Sequence, residues 1–412
     1  MISRTVMPNG VRVITDIMPQ VRSATIGFWL ACGSRHDAME TAGTAHFIEH
    51  MFFKGTKKRT ARQLALEVDY IGGQMNAFTS AEYTCYYMKV LDTHLQEAFE
   101  LLADMFLNSL FATLDINKEQ QIILQEYDMY EDNPDDFLQD KFFSYIWGEH
   151  PLGRNILGSK KTIKKIKKQS LETFLHDFYK PDNLVVAVAG NVLHEDVCGL
   201  VDKYFRNLTG KAKILTKQPP IFQNGNKNLY KDTAQTQIIW GLPCISIKND
   251  NLYAFNVFNN IFGASVSSHL FQHIREEKGL AYFIYSSLSC YTDTGVFSIN
   301  VGVKPENSRE TLALIDEQIA LLLTEGVKSA ELKKAKEQIN SNLIMSYENS
   351  SERMQRIGKM SVLDCPVIPA EIVIDMIKKI SLADIENIIH LFIKDKTPAV
   401  VRLGPKSTKG LR

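Results

Sequence analysis

The 412-residue sequence is poor in the features that mark several protein classes. Its six cysteines (Cys32, Cys85, Cys198, Cys244, Cys290 and Cys365) are scattered, with no Cys-x-x-Cys and no paired spacing. That excludes a disulfide scaffold, a zinc ribbon and a thioredoxin-type site, and points to a reducing compartment. No apolar run approaches the roughly 18–20 residues needed to cross a bilayer; the stretch 184–189 is among the longest. Charge of one sign is missing too, because 47 Lys and Arg balance 47 Asp and Glu. Such a chain has no overall field with which to hold nucleic acid or an anionic membrane. The first residues show no charged segment followed by an apolar stretch and a cleavage site. Residues 6–14 read instead as strand, Asn9-Gly10 turn and strand. The expectation is a cytoplasmic protein with no membrane span and no nucleic-acid partner. A mature organelle-matrix chain is the second reading.

What is present suffices for two cores, with 45% hydrophobic and 23% charged residues. Short β-type runs alternate with long helical periodicities. Residues 24–31, 82–91 and 184–190 read as strands, and 44–53, 61–71, 94–108, 115–131 and 195–205 as helices. The stretch 208–227, with Gly210, Pro219, Pro220, Asn224, Gly225 and Asn226, breaks the pattern. Beyond it the order recurs, with strands expected over 235–241, 281–290, 295–303 and 399–403. Helices are expected there over 252–262, 267–275, 309–323, 330–347 and 383–393. The class is α+β with two similarly built domains: 1–207, a linker at 208–228, and 229–412.

The sharpest chemical signal is His46-Phe47-Ile48-Glu49-His50. On a helix, positions i and i+4 share a face, so the two imidazoles converge on one ion, and Glu49 reaches a water on that ion. Zinc suits imidazole ligands with one position kept for water, and a nearby carboxylate can move that water's proton. A catalytic zinc needs a third protein ligand. Glu119 and Glu126 are two helical turns apart on one face, and spacing alone leaves both open, along with Asp128 and Glu131. The lysine run at 160–168, with isoleucines at helical spacing, reads as a solvated helix face with an apolar stripe.

His-x-x-Glu-His is the inverzincin order. Its surroundings, Gly43-Thr-Ala-His-Phe-Ile-Glu-His-Met-Phe-Phe-Lys-Gly-Thr56, resemble the pitrilysin superfamily, most closely the mitochondrial processing peptidase branch. The resemblance runs from about residue 5 to 404. It implies two domains, each a mixed, mainly antiparallel sheet packed with helices. It implies one zinc per chain held by His46, His50 and Glu126, with Glu49 as the base and Glu119 behind the ligands. Residues 72–80, with Asn76, Ala77 and Phe78, resemble the family's substrate-binding edge strand. Residues 262–282 resemble the segment whose Arg275 and Tyr282 face the active site, although Gly263-Ala264-Ser265 stands where relatives often have three glycines. Asp136 and Asp140 match acids that receive an arginine near the cut in the processing-peptidase branch.

The function expected is a zinc metalloendopeptidase acting on peptides or unfolded segments bound in extended form, with Arg favoured near the scissile bond. The resemblance also implies a two-chain working unit, a homodimer or a heterodimer with a related chain. The alternatives are a non-catalytic structural or core subunit of the same family and a zinc hydrolase of some other amide. Retention of His46, Glu49, His50 and Glu126 favours the peptidase over the structural subunit.

Overall fold

The computed structural model describes residues 2–215 and 218–406, so residues 216 and 217 of the expected linker lie outside the described residues. Six strands form the first sheet: β1 (Ile2–Val6), β2 (Arg12–Ile17), β3 (Ser23–Leu30), β4 (Gln74–Thr79), β5 (Thr84–Leu91) and β6 (Leu184–Gly190). Their order is β1-β2-β6-β3-β5-β4, antiparallel throughout except for β2 beside β6. The second sheet holds β7 (Gly225–Tyr230), β8 (Thr236–Cys244), β9 (Ala281–Cys290), β10 (Gly295–Val303) and β11 (Ala399–Gly404). Its order is β7-β11-β8-β10-β9, with β7 and β11 as its parallel pair.

Without β1, the two sheets have one topology. In each, the first strand pairs in parallel with the fifth, the second and fourth follow, and the third lies at the edge. The recurrence expected from element order is a duplication of this wiring, in the two-domain α+β class. β4 and β9 are the matching edge strands.

Five helices follow in the first part of the chain: α1 (Thr44–Phe52), α2 (Ala61–Tyr70), α3 (Leu95–Asn108), α4 (Thr113–Asp132) and α5 (Pro134–Trp147). The core under the first sheet is aromatic. Phe28 of β3 meets Phe99 of α3 edge-on at 5.2 Å and Phe205 at 5.3 Å, all three fully buried.

The chain divides into two units whose boundaries differ from the contiguous halves read in the sequence. The first unit is Met1–Met129, Arg154–Thr216 and Met345–Pro369; the second is Tyr130–Gly153, Lys217–Ile344 and Ala370–Arg412. Two helices are exchanged. The helix Ser350–Val362, late in the chain, packs on β2, β3 and β6 of the first unit, whereas α5 packs on β8 and β11 of the second. Each exchange rests on a glycine at the matching place. A Cβ on Gly27 of β3 would stand 2.4 Å from Met354 Sδ, and one on Gly241 of β8 would stand 2.4 Å from Phe142 Cζ. Arg353 fastens the first of these helices through two bonds to buried Asp16, at 2.6 and 2.7 Å.

Two further differences have local causes. Residues 225–228, expected as the end of the linker, form β7 together with Leu229 and Tyr230, a mostly exposed strand that among the described residues pairs only with β11. Its polar sequence, GNKNLY, carries no alternation, so pairing rather than pattern makes the strand. The helix expected over 252–262 ends at Asn259 and widens into a π-helical turn, Asn260–Ala264. There Gly263 lies against Ser286, where a Cβ would meet the hydroxyl at 2.4 Å. Of Gly263, Ala264 and Ser265, the glycine is the residue that this packing needs. No helix among the described residues is long and apolar enough to cross a membrane.

Candidate functional site

The site is built on α1. Ala45, Phe47, Ile48, Met51 and Phe52 are buried and anchor the helix, which turns His46, Glu49 and His50 to one side at i, i+3 and i+4. Entry into the helix is fixed by Gly43, whose φ of +101° belongs to the left-handed region, and a Cβ there would meet the Leu157 carbonyl at 2.2 Å. Buried Asp37 then takes the first free amides, accepting from Gly43 N–H at 2.7 Å and Ala45 N–H at 2.9 Å. Replacing Asp37 by Ala leaves two buried donors unpaired and is expected to cost about 2–4 kcal/mol of stability. Urea unfolding followed by circular dichroism measures this; an unchanged midpoint would show that the cap is dispensable.

Glu119, Ile123 and Glu126 follow one face of α4, the first two of them buried. Glu126 meets both imidazoles: Oε1 is 3.8 Å from His46 Nε2, and Oε2 is 3.5 Å from His50 Nε2. Behind them, His50 Nδ1 donates to Glu119 Oε2 at 3.2 Å, and Lys54 Nζ sits 2.5 Å from Glu119 Oε1. Thr79, the last residue of β4, donates its hydroxyl to Glu49 Oε2 at 2.5 Å.

Electrostatics follow from burial and these partners. Burial, with the charge of His50, pushes His46 down to about 4, so it is a neutral ligand near pH 7. Burial also raises the Glu49 carboxyl, against the pull of the Thr79 hydrogen bond. His50 is raised because the carboxylates of Glu126 and Glu119 outweigh the opposing effect of burial. The His50 imidazole, 3.5 Å from Oε2, lowers the Glu126 carboxyl.

Residues 12–160 match the family described as insulinase, peptidase family M16, and residues 165–339 match the peptidase M16 inactive domain. The chain is 41% identical to an uncharacterized zinc protease of Bacillus subtilis, over 88% of each chain. It is 38% identical to one of Rickettsia felis, over 98% of each. It belongs to the M16 peptidases. Two solved structures share the M16 fold with TM-scores of 0.92. One is a protease from Helicobacter pylori, 23% identical, covering 98% of this chain and 100% of that one. The other is a peptidase M16 inactive domain from Pseudomonas fluorescens, 18% identical, covering 99% of each.

Zinc is the cofactor of this M16 site, and the donors fit it. Donors about 2.1 Å from a tetrahedral zinc stand about 3.4 Å from one another. His46, His50 and Glu126 each offer an atom within 4.8 Å of the others, and the two nitrogen–oxygen separations are close to that edge. Glu126 Oε2 is buried without a hydrogen-bond partner, as an acceptor aimed at a cation would be. The acids that spacing left open are engaged elsewhere: Asp128 pairs with Lys160, and Glu131 with Lys141 at 3.3 Å. In the lysine run, Ile163 and Ile166 are buried while the helix itself is only Lys160–Ile163, so the apolar anchors hold but the long helix face does not form.

The remaining sequence candidates separate by unit. Asn76, Ala77 and Phe78 lie on β4 at the edge of the first sheet. Asp136 and Asp140, half-buried on α5, and Arg275 and Tyr282 belong to the second unit. Arg275 lies over the Phe271 ring at 4.6 Å, and Tyr282, on β9, is 51% exposed. Sequence reasoning missed Asp37, Lys54 and Thr79. A signal existed for two of them: Lys54 follows His50 by four residues, and Thr79 lies within residues 72–80, the segment singled out as an edge strand.

Proposed function

We propose that this M16 chain is a zinc metalloendopeptidase that cuts peptides or unfolded segments laid beside β4. The observation that carries the reading is Thr79: the last residue of an edge strand holds the acid of the zinc motif. A strand edge offers backbone groups to an extended peptide. On β4 the Ala77 N–H is capped by the side chain of Asn76 at 2.8 Å, a bond that an incoming peptide carbonyl can replace.

The chemistry then divides among the residues. His46, His50 and Glu126 hold zinc, which supplies a Lewis acid and lowers the pKa of water toward roughly 7. Glu49, fixed at Oε2 by Thr79, receives the water's proton at Oε1 and returns it to the leaving amine. Glu119 orients His50 by accepting from Nδ1. Tyr282 donates to the oxyanion and Arg275 positions the substrate, both supplied by a second copy of the chain. Their exposure suits contact with something outside their own unit. A non-catalytic subunit would have no use for an acid held beside three zinc ligands.

Asp136 and Asp140 are one helical turn apart on α5. Two carboxylates so placed would take a guanidinium, favouring Arg at the second residue before the cut. Cleavage of a peptide library read by mass spectrometry tests this. Asp136→Asn with Asp140→Asn is expected to erase the Arg preference while cleavage elsewhere continues; an unchanged profile sinks the assignment.

A further inference from the structure

Glu119 is an unusual acid to bury. It is 3% exposed, and a carboxylate that far from water is stable only when both oxygens are met by donors or charge. Oε2 accepts from His50 Nδ1 at 3.2 Å and Oε1 is 2.5 Å from Lys54 Nζ. Lys54 stands just beyond the end of α1, its N–H bonded to Met51 O at 3.1 Å, so its side chain reaches along the face that carries His50. The three groups form a line: ammonium, carboxylate, imidazole. At its far end His50 Nε2 points to Glu126.

We infer that Lys54 is a positioning residue of the zinc site, holding Glu119 in the place where it orients His50. The physical reason is balance of charge in a buried space. With Lys54 present, the Glu119 carboxylate keeps a counter-ion on one oxygen and offers the other to the imidazole N–H. That bond fixes the ring's tautomer and its angle, leaving Nε2 bare toward the metal. Without Lys54, a buried carboxylate loses its compensating charge and swings toward water, and the imidazole loses its fixed acceptor. The ammonium of Lys54 pairs with Glu119, which is not itself a zinc ligand, so its effect passes through Glu119. The inference rests on His50 as a ligand.

Zinc affinity, measured on stripped protein by competition with a chromophoric chelator, tests this without recourse to activity. Lys54→Met and Lys54→Gln are expected to bind zinc about 10–100-fold more weakly, as loss of an orienting partner does, while far-UV circular dichroism stays that of the parent. Glu119→Gln is expected to weaken binding to a similar extent. The double variant Lys54→Met with Glu119→Gln is expected to bind no more weakly than Glu119→Gln alone, since both changes remove one linkage. Lys54→Arg is expected to recover much of the loss. Parent-like affinity in both Lys54 variants, with Glu119→Gln weakened, overturns the role of Lys54 and leaves the site intact. Full additivity in the double variant overturns the route through Glu119. Parent-like affinity in His50→Ala would instead overturn the ligand assignment, and this inference with it.

Discussion

Glu49→Gln is expected to keep its zinc and lose turnover by roughly 10²–10⁴-fold, the range in which general base catalysis contributes. The substitution preserves the size of the side chain and an oxygen that can accept from Thr79, so the partner seen at 2.5 Å need not be lost. What it removes is the ability to take a proton. Glu49 is expected to have no share in metal binding, because among the described residues the donor atoms that cluster are those of His46, His50 and Glu126. Zinc analysis and kcat, measured on the same preparation, separate the two roles. A variant that lost zinc in proportion to activity would make Glu49 a ligand and would exclude it as the base.

Mixing two inactive variants is expected to restore activity if the working unit is a pair of chains sharing sites. Tyr282→Phe removes the hydroxyl proposed to meet the oxyanion, and such a donor is worth about 10²–10³-fold. When Tyr282 serves the zinc of the other chain, a mixed pair of Glu49→Gln and Tyr282→Phe chains has one doubly defective site and one intact site. About half the activity of a parent dimer should then reappear for each mixed pair. When Tyr282 serves its own zinc, every site keeps one defect and mixing restores nothing. Subunit exchange followed by native mass spectrometry makes the comparison strict: exchange without recovery, or a fully active monomer, rejects sharing.

The parts of the site legible in the sequence are those set by local geometry. His46, Glu49 and His50 share a face because a helix repeats every 3.6 residues, and the apolar residues between them anchor that helix. The choice of Glu126 over Glu119, Asp128 and Glu131 was beyond spacing, because all four are near one another along α4. It depends on which face α4 turns to α1, and only the family resemblance separated them in the sequence. Lys54 and Thr79 were hidden for a similar reason. A lysine past a helix end and a threonine at a strand end are ordinary until a second element brings a carboxylate to them.

The fold shows the same division. The buried run of β6 and the paired strands β9 and β10 were plain from composition and turn signals, and β9 and β10 have the expected limits. The exchange of α5 and the helix Ser350–Val362 was not legible. Both are amphipathic segments that follow a long helix, and nothing local states on which sheet they will lie. The clues, Gly27 beneath Met354 and Gly241 beneath Phe142, are contacts between residues far apart in sequence. β7 was missed because a polar edge strand owes its conformation to its neighbour, β11.

In the proposed reaction, three residues from two helices hold zinc for the hydrolysis of a peptide bond within an extended chain. Its most direct test is a chelation and reconstitution series on an unfolded polypeptide substrate, with products identified by mass spectrometry. The expected result is cleavage at internal bonds, complete loss on zinc removal, and recovery that saturates at one zinc per chain. Bound zinc at that stoichiometry with no peptide product, in a preparation that exchanges subunits, would contradict it.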